Sequence, residues 1–312
     1  MIRFLDSEAE CRSAWQKFSP HQRAWDEWDL MYAFHDLETY RFHFLLHETA
    51  GEADGLIPLV LDTSDNSYEL FGGCYPDARV LWIRPEHFPE CFEALPENSM
   101  FFDLRGCFVD RILGLHPQYE ANFAETDQRY FLVPEKFGFD FNNHIQTFSA
   151  EKRKGFFYDL RKLRERLPDL RWSEDDESEL FIELCNRNFG ADSDYVTAPG
   201  QAELKRVVSH LRDAGYLRTL TIAVDGVKQA VSMSALYANM LIAQYSASNN
   251  DIKNLGKLLN VETIQEACRL RVGEINYMTG MAWKAAWKMD SETCRTMRKP
   301  ARPVAGEACA TS

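Results

Sequence analysis

The chain has 312 residues, which is about two domains at a typical size of roughly 150 residues each. Hydrophobic residues make up 45% and charged residues 27%, a balance that excludes a disordered or collagen-like chain. The net charge is -13 but it is uneven, since residues 1–150 hold 11 basic and 26 acidic side chains and residues 151–312 hold 24 and 22. An acidic chain is repelled by phosphate backbones, so DNA binding is disfavoured, and the asymmetry suggests a boundary near residue 150.

The expected cellular location rests on the lack of membrane-spanning, signal-peptide and paired-cysteine segments in this sequence. No stretch approaches the roughly 18 consecutive apolar residues of a membrane-spanning helix. The first residues show no apolar segment followed by a small-residue cleavage site, and no two cysteines are close enough for a metal knuckle or a redox motif. We therefore expect a cytoplasmic protein with reduced cysteines and no membrane span.

The first half predicts a mixed structure of helices and strands. Apolar residues at helical spacing alternate with short apolar runs that Gly, Asp and Asn interrupt. The predicted helices are 9–18, 25–34 and 87–94. The predicted strands are 40–47, 55–62, 67–71, 100–104 and 130–133.

A long helix opens the second half. Ser149 is a suitable N-cap, and an apolar stripe with spacings of four, three and four follows it and ends at Pro168. The stripe consists of Phe156, Leu160, Leu163 and Leu167. Further helices are predicted at 177–188 and 201–214.

A hairpin is the clearest local signal in the chain. Asp225-Gly226 separates the strand-like runs Leu217–Val224 and Val227–Tyr237, and Asp-Gly between two such runs is typical of a two-residue turn. The remaining predicted elements are a strand at 240–247, a helix at 254–271, a strand at 274–277, a short helix at 281–288 and a strand at 293–298. The residues from Pro300 onward are expected to be disordered.

Several familiar sites have no basis in this sequence. It lacks the P-loop, dinucleotide-binding and serine-hydrolase patterns. His43 and His47 are four residues apart in a strand-like segment, where we interpret them as part of a partly buried sheet edge. We therefore expect no metal site.

The segment from Tyr245 to Lys257 indicates an anion site. A strand leads through a polar loop into a helix that begins Asn254-Leu255-Gly256-Lys257. Free backbone N–H groups at a helix N-terminus, with no side chain at Gly256, can cradle a phosphate. Lys253 and Lys257 add positive charge beside them.

A second segment carries a resemblance to a known family. Residues 274–288 form a strand, a glycine and a helix that carries Trp283, Lys284 and Trp287. This resembles the Gly-x-x-aromatic-Lys-x-x-Trp signature of Fem-type GNAT acyltransferases, which are related to peptidoglycan bridge-forming aminoacyltransferases. The resemblance covers most of residues 150–298 and includes the basic helix that precedes the core.

The resemblance implies an α/β (α+β) fold of tandem GNAT-like (acyl-CoA N-acyltransferase) domains, with mixed, mostly antiparallel sheets flanked by helices. Residues 1–147 would be a degenerate N-terminal copy that shapes the acceptor groove, 148–299 the acyltransferase domain and 300–312 a disordered tail. The acyl-CoA pyrophosphate would lie on Lys253, Asn254, Leu255, Gly256 and Lys257. The family's Arg/Gln-x-x-Gly-x-Gly/Ala motif corresponds to residues 253–258, where Gly256 matches and the last position is leucine.

The resemblance also implies catalytic residues. Lys284 matches the family lysine that stabilises developing charge on the carbonyl oxygen. Tyr245 and Glu274 are candidates for the general base, as is Asp251, because they lie in the right segments. We name Arg153 and Arg161 as residues that would bind an anionic acceptor. The alternative is that both are part of a solvated basic helix without a binding role. Trp283 is the third residue that we predict to bind substrate.

The expected function is N-acyl transfer from acyl-CoA, acetyl-CoA first, to a small-molecule or peptide amine by direct attack. One alternative is a Fem-type aminoacyltransferase that uses aminoacyl-tRNA and a cell-wall precursor, although the charge disfavours a tRNA partner. Another alternative is a catalytically inactive GNAT-fold binding protein. The sequence leaves the acceptor, the base and the oligomeric state open.

Overall fold

The computed structural model describes residues 1–35, 38–73, 76–166 and 168–300. The strands in chain order are β1 (Ile2–Leu5), β2 (Tyr40–Phe42), β3 (Phe44–Thr49), β4 (Glu52–Ile57), β5 (Leu59–Asp62), β6 (Ser67–Leu70), β7 (Ser99–Arg105), β8 (Phe123–Leu132), β9 (Asp169–Ser173), β10 (Leu217–Val224), β11 (Val227–Tyr237), β12 (Met240–Ser248), β13 (Glu274–Thr279) and β14 (Asp290–Lys299). The α-helices are α1 (Glu8–Phe18), α2 (Trp28–Ala33), α3 (Phe88–Ala94), α4 (Gly106–Leu115), α5 (Phe141–Gln146), α6 (Ala150–Arg164), α7 (Ser178–Phe189), α8 (Ala198–Asp213) and α9 (Leu255–Arg269). Short 3-10 helices include Pro85–His87 and Ala282–Trp287.

The chain divides into two compact units, and neither is continuous in sequence. Among the described residues, the first unit holds those in 1–20, 35–128 and 292–300, and the second holds those in 21–34 and 129–291. The predicted domain bounds at 147/148 and 299/300 stay predictions, and the two units divide the chain at other residues. The physical reason at the C-terminal end is long-range pairing, because β14 runs antiparallel to β7 with Cys294 opposite Arg105. Such pairing leaves no mark on the local sequence pattern.

The first unit contains two sheets. Strands β1, β3 and β4 form an antiparallel sheet in the order β1-β3-β4. Strands β2, β5, β6, β7 and β14 follow one another in the second, where the β6–β7 pair is parallel. The predicted strand 40–47 is thus two strands in different sheets, which the chain joins at His43.

The second unit positions the candidate site. Its strands lie in the order β13-β12-β11-β10-β9, with β12 and β13 parallel and the other pairs antiparallel. One apolar cluster joins residues of α5, α6 and α9 to residues of these strands. The expected α/β fold, with mostly antiparallel sheets and flanking helices, is confirmed.

Several local predictions are confirmed. Asp225 and Gly226 have φ angles of 55° and 78°, as the predicted two-residue hairpin turn requires. Ser149 caps α6, because its hydroxyl accepts from the Lys152 N–H at 3.3 Å. Phe156 and the two leucines at 160 and 163 are buried, whereas Leu167 lies outside the described residues.

Other elements differ from the prediction. Strands β1 and β9 and helices α4 and α5 were not predicted, and the predicted helix 281–288 is a 3-10 helix at Ala282–Trp287. The expected disorder after Pro300 lies outside the described residues. Within the described ranges, every helix is too short or too polar to cross a bilayer.

Candidate functional site

A cavity of about 630 Å³ lies entirely within the second unit. This volume is in the usual range of small-molecule sites. Its walls come from α6, the end of β12, the first turns of α9 and the 3-10 helix Ala282–Trp287. The lining residues include Phe148, Lys152, Gly155, Phe156, Asp159, Ser246, Ala247, Ser248, Gly256, Lys257, Leu259, Asn260, Trp283, Ala286 and Trp287.

Aromatic rings form one part of the cavity wall. The Phe156 ring contacts the Trp287 ring edge-on, with centroids 5.7 Å apart, and the Phe148 ring at 6.3 Å. Trp287 is buried, and its carbonyl oxygen lies 3.0 Å from Nε2 of His144. These contacts fix the wall on α5 and α6, so it can bury an apolar group of a ligand.

Charged side chains form a second part of the cavity wall. The Lys257 ammonium is hydrogen-bonded to the Asp159 carboxylate and lies 5.6 Å from the centre of the Phe156 ring. This hydrogen bond lowers the pKa of Asp159, so the carboxylate is ionised at neutral pH. Lys152 donates to the carbonyl oxygen of Ala286, and burial lowers its pKa. The two lysines outnumber the one carboxylate among the described lining residues.

The N-terminus of α9 lies at the same cavity. Its N-cap residue, Asn254, has a left-handed φ of 70°, and its side chain makes no capping hydrogen bond. The Leu255 N–H donates to the carbonyl oxygen of Ile252 at 3.2 Å. The next N–H groups of the first turn, those of Gly256 and Lys257, have no acceptor within their own helix, and such groups attract anions. A Cβ atom on Gly256 would lie 3.1 Å from Oγ of Ser248. Glycine therefore permits the close approach between the helix and the end of β12.

The predicted anion-binding residues lie in and beside this turn. Gly256 and Lys257 line the cavity, whereas Leu255 is buried in the hydrophobic core. Lys253 is near enough to Asp159 to help lower its pKa, after the larger effect of Lys257. The structure thus brings together the residues that the sequence grouped, and their role in binding stays a prediction.

The predicted Trp283–Lys284 pair divides between two environments. Trp283 lines the cavity and is 40% exposed, while Lys284 is 5% exposed and is not among the lining residues described above. The Lys284 ammonium donates to the carbonyl oxygens of Thr279, at 2.7 Å, and Met278, at 3.3 Å. Lys284 therefore ties the 3-10 helix to the end of β13.

Tyr245 and Glu274 also lie outside the described lining. Tyr245 is buried, its ring is 5.6 Å from that of Phe181, and its hydroxyl accepts from Gln244 at 2.9 Å. The Glu274 carboxylate forms an ion pair with the buried guanidinium of Arg129. Their catalytic roles remain predictions without support from cavity geometry.

The two predicted arginines, Arg153 and Arg161, also lie outside the described lining. Arg153 donates to the carbonyl oxygens of Gln146, at 3.1 Å, and Phe148, at 2.5 Å, so it closes the turn before α6. The Arg161 guanidinium lies 5.5 Å from the centre of the Tyr158 ring. Neither lines the cavity as described.

Sequence reasoning missed the contribution of α6. Lys152, Phe156 and Asp159 are spaced by four and three residues, so they share one helix face, and all three line the cavity. That spacing was a usable signal, but Lys152 was interpreted only as one residue of a basic helix and Phe156 only as core.

Comparison with known proteins gives a family match for part of the chain. The model of the family described as acetyltransferase (GNAT) domain matches residues 150–289. No curated protein matches the chain.

Solved structures are similar over nearly the whole chain. FemX has a TM-score of 0.61 at 9% identity, covering 94% of this chain and 96% of that one. A tandem GNAT protein from the clavulanic acid biosynthesis pathway has a TM-score of 0.54 at 9% identity, and the match covers 97% of this chain and 100% of that one. L-PGS from Bacillus licheniformis has a TM-score of 0.50 at 10% identity, and the match covers 95% of this chain and 94% of that one. At these identities the likeness shows a shared fold. Residues 150–289 thus match the GNAT domain family, and the chain as a whole shares the fold of FemX and of the tandem GNAT protein.

Proposed function

We propose that the protein is an N-acyltransferase that transfers an acyl group from acyl-CoA, acetyl-CoA first, to an amine. The observation that carries the proposal is the cavity where Gly256 and Lys257, in the first turn of α9, face the aromatic wall of Phe156 and Trp287. A donor with an anionic and an apolar part matches those two surfaces. In this proposal the pyrophosphate binds the α9 N-terminus and Lys257.

The reaction is direct attack on the thioester. The neutral amine nitrogen attacks the carbonyl carbon, the tetrahedral intermediate expels the CoA thiolate, and the amine loses its proton to solvent. Backbone N–H groups near Tyr245–Ala247 are proposed to polarise the carbonyl. Asp159 is a weak base because Lys257 lowers its pKa, so we propose no role for it in removing the proton.

Lys284 is proposed as a positioning residue. Its bonds to Thr279 and Met278 hold the loop that leads to Trp283, which lines the cavity. Loss of Lys284 would displace that wall without removing a group from the cavity.

Calorimetric titration of CoA and acetyl-CoA into the wild type, Gly256→Glu and Gly256→Gln tests the proposal. Both variants place similar bulk beside Ser248, but only glutamate adds negative charge where the pyrophosphate is proposed to bind. We expect micromolar binding by the wild type, weaker binding by Gly256→Gln and no measurable binding by Gly256→Glu. Glutamate in the first turn favours the helix dipole, so loss of binding there does not follow from a weakened helix.

Gly155→Ala is the matched control, because Gly155 lines the same cavity and a Cβ there meets nothing within 4 Å. Release of free thiol from acetyl-CoA, followed over a panel of amines, then measures transfer. Absence of CoA binding by the wild type would overturn the proposal. Tight CoA binding without thiol release over the panel would instead favour an inactive binding protein.

An aminoacyl-tRNA donor is the second candidate, and the basic residues of α6 favour it. The helix carries six basic residues, Lys152, Arg153, Lys154, Arg161, Lys162 and Arg164. Binding of a charged tRNA that weakens steeply with salt, in a protein that ignores CoA, would select this candidate.

A further inference from the structure

A cluster of ligand-type side chains lies in the first unit, far in sequence from the cavity residues. It contains His47 on β3, Asp54 on β4 and His87 in the 3-10 helix Pro85–His87, with Glu90 of α3 beside them. The first three each offer one ligand atom, and those atoms lie within 4.8 Å of one another. His47 is only 2% exposed, so its hydrogen bonds must be accounted for within the protein.

Both ring nitrogens of His47 face carboxylates. Nδ1 is 2.5 Å from Oδ1 of Asp54, and Nε2 is 3.2 Å from Oε2 of Glu90. A neutral imidazole has one N–H donor and one acceptor nitrogen, whereas an ionised carboxylate only accepts. A neutral His47 therefore donates to only one of the two carboxylates. The Oε1 atom of Glu90 also lies 3.0 Å from the N-terminal ammonium of Met1, so the contact that needs a cation, either a proton or a metal ion, is the one between His47 and Asp54.

His87 indicates which side would hold the cation. Its Nδ1 is buried and makes no hydrogen bond within the described residues, and it lies 3.7 Å from Oδ2 of Asp54, too far for a hydrogen bond. The rings of His87 and His47 are 4.2 Å apart. Nδ1 of His87, a ring nitrogen without a hydrogen-bond partner among the described residues, thus lies near the Asp54 carboxylate, which Nδ1 of His47 also approaches.

Close packing around Gly55 keeps these groups together. Gly55 is the cross-strand partner of His47, and a Cβ on it would lie 3.0 Å from Cγ2 of Ile83 and 3.3 Å from Cβ of His47. A larger residue at position 55 would push the segment that leads to His87 away from β3. The strand pair and the 3-10 helix are therefore held at a short distance by a residue without a side chain.

We propose that Nδ1 of His47, Nδ1 of His87 and the Asp54 carboxylate bind a Zn²⁺ ion. Two imidazoles and a carboxylate are common zinc ligands, and a water would complete the tetrahedron. The Nε2–H of His47 then donates to Glu90, as metal-bound histidines typically donate their second N–H to a carboxylate that orients them. At the usual zinc–ligand distances of ~2.0–2.2 Å, the ligand atoms of a tetrahedral site lie about 3.4 Å from one another. Binding therefore requires Nδ1 of His47 and Oδ1 of Asp54, now 2.5 Å apart, to separate by about 1 Å, so that the ion replaces the hydrogen bond between them.

The proposed site is contrary to the expectation, based on the spacing of His43 and His47, that the chain has no metal site. His43 is not part of the cluster, because its Nδ1 lies 2.8 Å from Oδ1 of Asp6. The ligands come from three separate segments, so no short spacing could reveal them. The site is independent of the proposed acyl transfer, and its test needs no enzyme activity.

Calorimetric titration of ZnCl₂ into the full chain, prepared without a histidine tag and freed of metal, tests the proposal. We expect one ion per chain, and a thermal unfolding midpoint that rises with Zn²⁺. His87→Gln and Asp54→Asn should abolish both effects, and Glu90→Gln should weaken binding by about 10- to 100-fold. His43→Gln is the matched histidine control and should bind as the wild type does.

Cobalt reports the ligand types directly. Co²⁺ should give the visible absorption of a tetrahedral nitrogen and oxygen site, without the near-ultraviolet band of a cobalt–thiolate bond, and Cys107→Ser should leave it unchanged. The proposal is overturned if the wild type binds no Zn²⁺, or if His87→Gln and Asp54→Asn, shown to be folded by circular dichroism, bind as the wild type does. In the first case, the cation between His47 and the carboxylates is a proton. If one of the two variants does not fold, the other, together with Glu90→Gln, decides the outcome.

Discussion

The ammonium of Lys257, in the first turn of α9, is hydrogen-bonded to the carboxylate of Asp159 on α6. Both side chains are 27% exposed, and both line the cavity. The pair therefore neutralises part of the positive charge that the N-terminus of α9 would otherwise present to an anion. Asp159 makes the site less attractive to anions than its lysines alone suggest.

Replacing Asp159 with asparagine should tighten anion binding. The change removes a negative charge from the cavity and frees the Lys257 ammonium, so we expect the dissociation constant for CoA to fall on the order of tenfold, about 1.4 kcal/mol. Calorimetry at low and at high salt measures it, and the gain should shrink with salt. Glu165→Gln, which removes the same charge from an exposed position next to α6, should have little effect. Equal gains in the two variants would mean that overall charge, and not the cavity pair, sets the affinity.

Replacing Lys284 with alanine should cost stability as well as activity. The ammonium is buried and donates to two carbonyl oxygens, so its loss should lower the free energy of unfolding by about 1.5–3 kcal/mol. Urea denaturation measures this, and the KM for acetyl-CoA should rise with a smaller change in kcat because the wall at Trp283 moves. A variant of wild-type stability with kcat alone reduced would show that Lys284 acts on the reacting carbonyl.

Local patterns predicted most of the second unit. The left-handed φ angles at Asp225 and Gly226 are what that dipeptide favours, and the hairpin strands have the predicted bounds. Ser149 capped its helix for a similarly local reason. These features depend on a few neighbouring residues, which a single sequence displays.

Features that depend on distant contacts could not be predicted. Lys152 and Asp159 look like part of a solvated helix until the end of β12 and the start of α9 are placed against them. Lys284 looks exposed on a short helix, but the positive φ angles of Met278, Gly280 and Met281 turn the chain so that the ammonium meets the carbonyls of β13. The sequence therefore indicated the turn proposed to bind an anion but not the residues opposite it.

Trp283 and Trp287 offer a matched pair on one 3-10 helix. Trp287 is 9% exposed and packs on Phe156, whereas Trp283 is 40% exposed. Trp287→Ala should lower the free energy of unfolding by about 3–5 kcal/mol, as large-to-small changes of buried tryptophans do. Trp283→Ala should leave it within about 0.5 kcal/mol, as is usual for surface changes, and weaken binding of acetyl-CoA. Denaturation and calorimetry on both variants check this, and unaltered affinity in Trp283→Ala would remove Trp283 from the proposed donor site.

His144 should make the stability of the second unit depend on pH. Burial lowers its pKa, and its Nε2 lies 3.0 Å from the carbonyl oxygen of Trp287, so the neutral form with a proton on Nε2 is favoured in the folded protein. The unfolded chain has an ordinary histidine pKa of about 6.5, so below that pH the unfolded state takes up a proton that the folded state resists. Stability is therefore retained above about pH 6.5 and lost progressively as the pH falls from there through the lower pKa of the folded state.

His144→Gln tests this, because glutamine can still donate to the Trp287 carbonyl but cannot become charged. Urea midpoints at pH 9, 7.5 and 5.5 should show a constant gap between wild type and variant at the two higher values, where histidine is neutral in both states. At pH 5.5 the wild type should lose more stability than the variant. His210, which is half-buried and also has a lowered pKa, contributes a loss of the same sign in both proteins and cancels in the gap. A gap at pH 5.5 equal to that at pH 7.5 would show that His144 takes up its proton as readily in the folded state as in the unfolded one.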